Sequence, residues 1–208
     1  MKPSDIKPIK YPIRISSSKI NLFNECVMKY LFQYWTTLDI QQKIWPGNLM
    51  GQSMHRILEE VIKQINDGIP ENEIIRGTRG LFTNKFWFMR EETDKNKKQI
   101  WKESRAYSEE DFLRKGEKFG GILAKYFMML VPKERHSLLS ETTIEKPWVL
   151  DKEILITGIV DVILRETEDT LRIIDLKVTS KEQQYYFVRW EKNIQRIIYH
   201  YLCTINFK

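Results

Sequence analysis

The sequence predicts a fold that combines helices with a sheet, α/β or α+β, and we adopt α/β. Apolar residues recur at helical spacing through the first two thirds of the chain, extended β-rich segments follow residue 140, and helical spacing returns near the end. With 208 residues the chain fits one compact domain with a sizeable core. We expect a single domain over 1–208, with an extended arm (1–15), a mainly helical part (16–135), and a sheet followed by a helix (140–208).

Two helices are predicted near the start of the chain. The serine run at 16–18 supplies an N-cap for a helix over 19–35, where apolar residues line one side. A second helix is expected over about 48–66, preceded by Pro46-Gly47 and ended by Gly68, which suits a C-terminal cap. We expect Gly51, in the middle of this helix, to mark a position where something packs closely.

The segment 69–106 mixes aromatic residues with clusters of charge, and one or two helices with a mobile loop near 92–98 are expected there. Ser108 then caps a long helix with acidic residues in its first turn, and Pro132 ends it. The Gly120-Gly121 pair in that helix predicts a kink or a close approach to a neighbouring element.

Three strands are predicted after residue 140. The first, 142–150, contains a proline, which favours an edge position. Short turns then separate it from a second strand at 153–165 and a third at 170–178. A helix over about 187–204 completes the pattern, because its apolar residues return to helical spacing.

The composition is that of a basic globular protein. Lys and Arg number 34 against 28 Asp and Glu, a net charge of +6, which favours a polyanionic partner without identifying one. The longest apolar runs are too short to span a bilayer, and the first residues lack the apolar core of a signal peptide. We therefore expect a cytoplasmic protein with no membrane association. Cys26 and Cys203 are the only cysteines, which excludes a disulfide scaffold; we expect both to be reduced and partly buried.

Two aspartates lie in consecutive predicted strands. Asp161 and Asp175 both have apolar neighbours, where an ionised carboxylate is costly unless it is paired or bound to a metal. A short turn joins their strands, so the strands should be antiparallel neighbours with the two carboxylates close together. A divalent cation would relieve their repulsion. The alternative is that each carboxylate ends a strand and faces solvent.

Lys177 lies two residues after Asp175, so both side chains should emerge on the same face of the third strand. A lysine beside a metal-bound carboxylate can orient the attacking water or balance the charge that develops on a phosphate. The alternative is a plain surface ion pair, worth about 0–1 kcal/mol.

His55 shares one helix face with Gly51 and Glu59, at i−4 and i+4. The imidazole is a candidate metal ligand, and Glu59 could bind the metal or fix the orientation of the ring. On the last helix, Gln195 and Tyr199 form another i, i+4 pair, and an amide and a phenol suit hydrogen bonds to a phosphate or to a metal-bound water. The alternatives are a partly buried histidine held by its own glutamate and an amphipathic helix with a polar edge.

In combination, four motifs resemble the RecB-type branch of the PD-(D/E)xK nuclease superfamily. The chain carries GxxxHxxLE at 51–59, GxxD at 158–161, DxK at 175–177 and QxxxY at 195–199, in the family's order. The segment 17–26, in which serines lead to a cysteine, also resembles the family's beginning. The resemblance spans about residues 16–203.

The resemblance implies a restriction-endonuclease-like core with an N-terminal helical subdomain, and a nuclease that depends on Mg²⁺ or Mn²⁺. Carried over, the metal ligands are His55, Asp161, Asp175 and the backbone carbonyl of Leu176. Lys177 is then the catalytic lysine, and Gln195 and Tyr199 lie at the phosphate. The implied substrate is single-stranded DNA or duplex ends, cut by an exonuclease rather than an endonuclease, in repair, recombination or CRISPR-type DNA processing.

The chain departs from the family in two respects. Many relatives bind an iron–sulfur cluster through one early and three late cysteines, whereas only Cys26 and Cys203 are present here, so we expect no cluster. The given sequence also stops just after the QxxxY helix, where relatives add strands. The chain is therefore a minimal form or a truncated one, or a protein partner or a homo-oligomer completes the sheet.

The segment 69–106 is aromatic and basic, so it could form a helical cover on which DNA bases stack, or the core of a helical subdomain. The DNA-binding candidates there are Phe86, Trp87, Lys95, Lys97 and Lys98. Two other functions stay open: a module that binds DNA without cutting it, and a subunit that is active only within a larger complex.

Overall fold

The fold of the chain is a mixture of six helices and four strands within the part that the computed structural model describes, namely residues 6–7, 10–37, 46–83, 108–130, 137–148, 150–167, 169–177 and 194–206. This mixture confirms the predicted α/β class. The elements, in chain order, are β1 (Ile13–Ile15), α1 (Ser17–Glu25), α2 (Val27–Trp35), α3 (Pro46–Asn66), α4 (Glu71–Thr83), α5 (Glu109–Leu130), β2 (Ser137–Trp148), β3 (Asp151–Arg165), β4 (Leu171–Ile174) and α6 (Ile194–Asn206). None of the described helices is long and apolar enough to cross a membrane.

The strands form a sheet in the order β1-β3-β2, with β4 also paired to β3. The start of β3 is parallel to β1, with Ile13 opposite Ile154, and its end is antiparallel to β4, with Val162 opposite Ile174. The antiparallel pairing of the Asp161 strand with the following strand was predicted. Residues 13–15 belong to the sheet, so the arm expected over 1–15 is anchored there by backbone hydrogen bonds.

The predicted helix over 19–35 is in fact two helices that break at Cys26. The N-cap prediction is confirmed, because the Ser16 hydroxyl accepts a hydrogen bond from the Lys19 N–H. Cys26 has an extended backbone (φ −163°, ψ 107°), although no proline or glycine lies nearby. Its N–H still bonds to the Leu22 carbonyl and its carbonyl accepts from the Tyr30 N–H, so the break leaves these two groups paired.

Contacts between Cα atoms divide the chain into two compact units, each assembled from separated segments. The first contains Met1–Gln42, Thr143–Val160 and Lys181–Lys208, and the second contains Lys43–Thr142 and Asp161–Ser180. Each unit is described by itself below.

The second unit is built around three packed helices, α3, α4 and α5. The Ser108 hydroxyl caps α5 by accepting from the Asp111 N–H, and Gly68 ends α3 at φ 77°, a conformation that glycine adopts without strain. Apolar side chains of all three helices meet Val162 and Leu164 of β3 in one buried cluster. The packing is tight at one point, because a Cβ on Gly116 would lie 2.0 Å from the fully buried Phe82 ring.

Glycines in two predicted positions behave differently. Gly120 allows the predicted close approach, because a Cβ there would come within 3.1 Å of the Ile57 side chain. For Gly51 the described residues do not show the expected close packing: none of their atoms lies within 4 Å of where its Cβ would be. Packing among the described residues therefore does not account for the glycine of the GxxxHxxLE motif.

The first unit contains β1, α1, α2 and α6 together with parts of β2 and β3. Its buried apolar residues include Ile156, Val160, Ile198 and Leu202. Helix α6 begins at Ile194, so the part of the predicted helix before that residue lies outside the described residues.

Candidate active site

The second unit brings three of the predicted motifs together at the carboxylate of Asp161. This residue is 9% exposed and precedes the apolar residues Val162 to Leu164 of β3, which are buried. Its Oδ1 lies 3.2 Å from Nδ1 of His55, in the middle of α3. Its Oδ2 accepts a 2.7 Å hydrogen bond from the backbone N–H of Leu176, the central residue of the DxK motif. One buried carboxylate thus joins the histidine helix, its own strand and the segment after β4.

The DxK motif lies just beyond its strand and not within it as predicted, because β4 ends at Ile174. The argument that strand geometry puts Asp175 and Lys177 on one face is therefore wrong. The two side chains meet nevertheless: Nζ of Lys177 lies 2.9 Å from Oδ1 and 2.7 Å from Oδ2 of Asp175. The end of the strand frees the Leu176 N–H from the ladder, and that N–H bonds to Asp161 instead.

The surroundings of Asp175 disfavour the ionised form of its carboxyl group. Its side chain is 2% exposed, and burial raises its pKa above the ordinary value for aspartate. The Lys177 ammonium lowers that pKa in part, the Asp161 charge raises it further, and His55 lowers it. Because both Asp161 and His55 influence this carboxyl group, the four side chains act electrostatically as one cluster.

The cluster suits a hard divalent cation by the chemistry of its two buried carboxylates, since carboxylate oxygens are ligands that Mg²⁺ and Mn²⁺ prefer. A cation would also offset the cost of the buried Asp175 charge. Within the described ranges, no three His, Cys, Asp or Glu side chains are grouped so that they could hold a metal ion. The ligand roles of His55, Asp161, Asp175 and the Leu176 carbonyl therefore stay predictions.

Glu59, one helical turn after His55, is exposed. The ion pair of the imidazole is made with Asp161, and the role of Glu59 as a metal ligand or an orienting acceptor stays a prediction.

The QxxxY pair lies in the first unit and forms a hydrogen-bonded chain. The Gln195 amide donates to the Tyr199 hydroxyl at 2.7 Å, and that hydroxyl donates a short hydrogen bond to the carbonyl of Ile159 in β3. Tyr199 is 6% exposed. Both residues are thereby fixed, and their contact with a phosphate stays a prediction.

Gly158, the first residue of the GxxD motif, has a packing role that the sequence analysis missed. A Cβ at this position would lie 3.0 Å from side-chain carbons of both Leu202 and Tyr199, so the absence of a side chain lets α6 lie close against β3. The signal available in the sequence was a glycine inside a strand, which often marks a close approach of a neighbouring element.

The two cysteines differ in exposure, contrary to the sequence prediction. Cys26 is exposed and Cys203 is buried, so partial burial of both was wrong; burial raises the pKa of the Cys203 thiol. The expected lack of an iron–sulfur cluster stays a prediction.

The DNA-binding candidates all lie outside the described residues: Phe86, Trp87, Lys95, Lys97 and Lys98.

The chain is similar to one known protein family over most of its length. A model of the PD-(D/E)XK nuclease superfamily matches residues 14–207. No curated protein and no solved structure matches the chain. The matched range includes helices α1 to α6 and all four motifs.

Proposed function

Because the chain belongs to the PD-(D/E)XK nuclease superfamily, we propose that it is a RecB-type deoxyribonuclease that uses Mg²⁺ or Mn²⁺ and acts on single-stranded DNA or DNA ends. The superfamily consists of metal-dependent nucleases that usually use Mg²⁺ and act on DNA. The RecB-type assignment rests on the four motifs, their order and their spacing. Within this activity, we propose an exonuclease that acts in DNA repair, recombination or CRISPR-type processing.

The observation that carries the proposal is the double engagement of Asp161. Its two oxygens meet the His55 imidazole and the Leu176 N–H, so residues far apart in sequence converge on one buried carboxylate. An ordinary surface aspartate has no need of this arrangement, because solvent satisfies it. Buried, charged and convergent groups of this kind are characteristic of functional sites.

In the proposed site, His55, Asp161, Asp175 and the Leu176 carbonyl hold the divalent cation. A cation bound there lowers the pKa of a water molecule and stabilises negative charge on the phosphate. The Leu176 N–H fixes Oδ2 of Asp161, which holds the carboxylate plane in one orientation. The apolar residues around Asp161 exclude water and strengthen these electrostatic interactions.

Lys177 supplies a positive charge next to the reacting phosphate. Its side chain is 43% exposed while that of its partner Asp175 is 2% exposed, so the ammonium lies between a buried carboxylate and the solvent from which DNA approaches. From there Nζ can donate a hydrogen bond to a phosphate oxygen as negative charge develops on it. Gln195 and Tyr199 are proposed to contact the phosphate on the strength of the QxxxY motif.

The experiment that tests the function is cleavage of end-labelled linear single-stranded, linear duplex and circular DNA with Mg²⁺, Mn²⁺ or EDTA. Lys177→Ala should lower the rate by about 10²–10³-fold, the typical effect of removing one group that stabilises charge in the transition state. Asp161→Asn keeps an acceptor for the Leu176 N–H but removes the charge, and it should abolish cutting without unfolding the protein. Exonuclease action predicts no cutting of circular DNA.

Lys63→Ala is the matched control, because Lys63 is an exposed lysine in the last turn of α3. It should cut as the wild type does. Metal-independent cutting, or cutting that Lys177→Ala and Asp161→Asn leave intact, would contradict the proposed site. Pure wild-type protein that binds DNA but cuts none of the substrates would instead favour a binding module or a subunit that needs a partner.

A further inference from the structure

A second basic and aromatic site lies within the first unit, in a pocket of about 410 Å³ between the start of the chain and helices α1 and α2. This volume falls in the range of pockets that hold small ligands. None of its lining residues belongs to the four motifs, so the predicted nuclease site does not account for it.

The charged wall of the pocket is cationic. Lys7, Lys10, Arg14 and Lys19 line it, and no acidic residue is among the described residues that do so. Lys7 and Lys10 are exposed, and the structure shows no ion pair between either ammonium and the described part of the chain. Arg14 is partly neutralised, since its Nε lies 2.8 Å from Oε1 of Glu145. The charge available to a ligand therefore comes mainly from the two lysines.

The Lys19 ammonium contacts other residues of the pocket wall, so we do not assign it to ligand binding. Its Nζ donates to the Arg14 carbonyl at 2.7 Å and lies 5.0 Å from the centre of the Tyr34 ring. Burial, and secondarily the nearby Arg14 charge, lowers its pKa. Lys19 thus ties α1 to the chain before it and holds one face of Tyr34 by a cation–π contact.

The other wall is aromatic. Tyr30, Tyr34 and Trp35 of α2 line the pocket, and all three are only partly buried. The Tyr30 and Tyr34 rings are 5.4 Å apart at an angle of 53°, so they support each other. Partly exposed aromatic rings in a cationic pocket supply a planar apolar surface for a base next to charge for a phosphate.

The pocket is held in place by backbone pairing on two sides. The Lys7 N–H donates to the Trp35 carbonyl at 2.8 Å, next to the bridge between Ile6 and Thr36. Ile13 and its neighbours in β1 pair with β3. Both ends of the lysine-bearing segment are therefore anchored, which reduces the conformational entropy lost when a ligand binds.

We propose that this pocket binds one nucleotide of single-stranded DNA, with its phosphate on Lys7 and Lys10 and its base against the rings of α2. The proposal rests on the proposed function, because the pocket would be a second binding site for the same DNA substrate. Single-stranded DNA fits better than duplex DNA because stacking needs an unpaired base. An anionic ligand without a base would use the lysines but not the rings.

The first test measures binding of the wild-type protein to fluorescent oligothymidylate by anisotropy, in EDTA so that no metal-dependent cutting occurs, over a range of salt concentrations. The double variant Lys7→Ala/Lys10→Ala should weaken binding by at least ~10-fold near 0.1 M salt. It should also reduce the salt slope by about 0.7, because the two lysines contact one phosphate and each phosphate contact on a single strand contributes about that much. The charge-matched control Lys63→Ala/Lys152→Ala removes two exposed lysines outside the pocket, and it should leave both quantities nearly unchanged.

The second test separates base stacking from charge. Tyr34→Leu should weaken binding at least ~5-fold, the lower end for loss of one stacked base, without changing the salt slope. Tyr126→Leu removes an exposed tyrosine of α5 in the other unit and should have no effect. Thymidine monophosphate at high concentration should compete with the oligonucleotide, whereas inorganic phosphate at the same ionic strength should not.

Three outcomes overturn the inference: equal effects of the two lysine pairs, no effect of Tyr34→Leu, or equal competition by inorganic phosphate and the nucleotide. A separate cleavage assay with metal keeps the two proposals distinct. Wild type that cuts while the pocket variants bind normally refutes the pocket alone. Wild type that never cuts, with binding lost only in the pocket variants, refutes the nuclease and leaves the pocket as a nucleic-acid site.

Discussion

The buried polar groups of the first unit are neutral and hydrogen-bonded to one another, whereas those of the second unit include charged carboxylates. In the first unit, the Gln195 amide, the Tyr199 hydroxyl and the Ile159 carbonyl form a neutral chain in which each group has a partner. In the second unit, two buried carboxylates lie near one another, and burial raises the pKa of Asp175 despite its lysine partner. The first arrangement stabilises the fold, whereas in the second the ionised form of Asp175 is disfavoured by burial, a cost that a bound cation would offset. Chemistry is therefore expected where charge is incompletely balanced.

The largest predicted difference between the units is their response to metal, which should bind in the second unit and not in the first. A divalent cation at 100 times its Kd stabilises the folded state by about 2.7 kcal/mol, which for a chain of this size raises Tm by roughly 5–10 °C. Thermal melting with Mg²⁺ or Mn²⁺ against EDTA measures the shift. Asp161→Asn should remove it and Tyr199→Phe should keep it; a shift that survives Asp161→Asn would place the metal elsewhere.

Close packing can be compared between the units with alanine substitutions at glycine. Gly116→Ala should destabilise the second unit by about 1–3 kcal/mol, because a Cβ would lie 2.0 Å from the fully buried Phe82 ring. Gly158→Ala in the first unit should cost less, since the nearest atoms are 3.0 Å away. Urea unfolding gives both free energies.

Gly77→Ala is the control for both substitutions. None of the described atoms lies within 4 Å of the position of its Cβ, and alanine favours a helix interior by roughly 1 kcal/mol over glycine. This variant should therefore be slightly more stable than the wild type. Equal losses for Gly116→Ala and Gly158→Ala would contradict the difference in packing.

Removal of the buried Asp175 charge should stabilise the protein when no metal is bound. Because burial raises the folded-state pKa of Asp175, the ionised group opposes folding at neutral pH, and protonation relieves this as pH falls through that raised pKa. In EDTA at pH 7, Asp175→Asn should therefore melt at a higher temperature than the wild type, although it should not cut DNA. The difference in Tm should shrink as the pH is lowered.

The pH series distinguishes burial from ion pairing at Asp175. If the interaction with Lys177 outweighed burial, Asp175→Asn would melt below the wild type at neutral pH. Glu153→Gln, at an exposed position of β3, is the charge-matched control and should change Tm little at any pH in the series.

The smallest effect is expected in the neutral chain. Tyr199→Phe removes a hydroxyl that accepts from Gln195 and donates to the Ile159 carbonyl, and it should cost about 1 kcal/mol, the typical net value of a hydrogen bond. Urea unfolding in EDTA measures this loss. If the hydroxyl also serves the phosphate as the QxxxY motif implies, the cleavage rate will fall more than the loss of stability accounts for.

Much of the fold could be predicted because its signals are local. The caps at Ser16 and Ser108 and the end of α3 at Gly68 depend on the residue itself and on a few neighbours. The break at Cys26 could not be predicted, since its residues favour a continuous helix and no breaker lies nearby. The early end of β4 at Ile174 was missed for a related reason: Asp161 captures the N–H of Leu176, and that contact joins residues 15 positions apart.

The amino-acid sequence by itself determined the set of chemically active residue types, their order and the superfamily that they identify, because motif spacing and periodicity are written along the chain. Only the tertiary structure decided that Asp161 meets both His55 and the Leu176 N–H, and that Gly158 admits α6. It also decided that lysines near the start of the chain share a pocket with the rings of α2. Each of these depends on contacts between distant segments, which burial of apolar surface brings together and which no local pattern records.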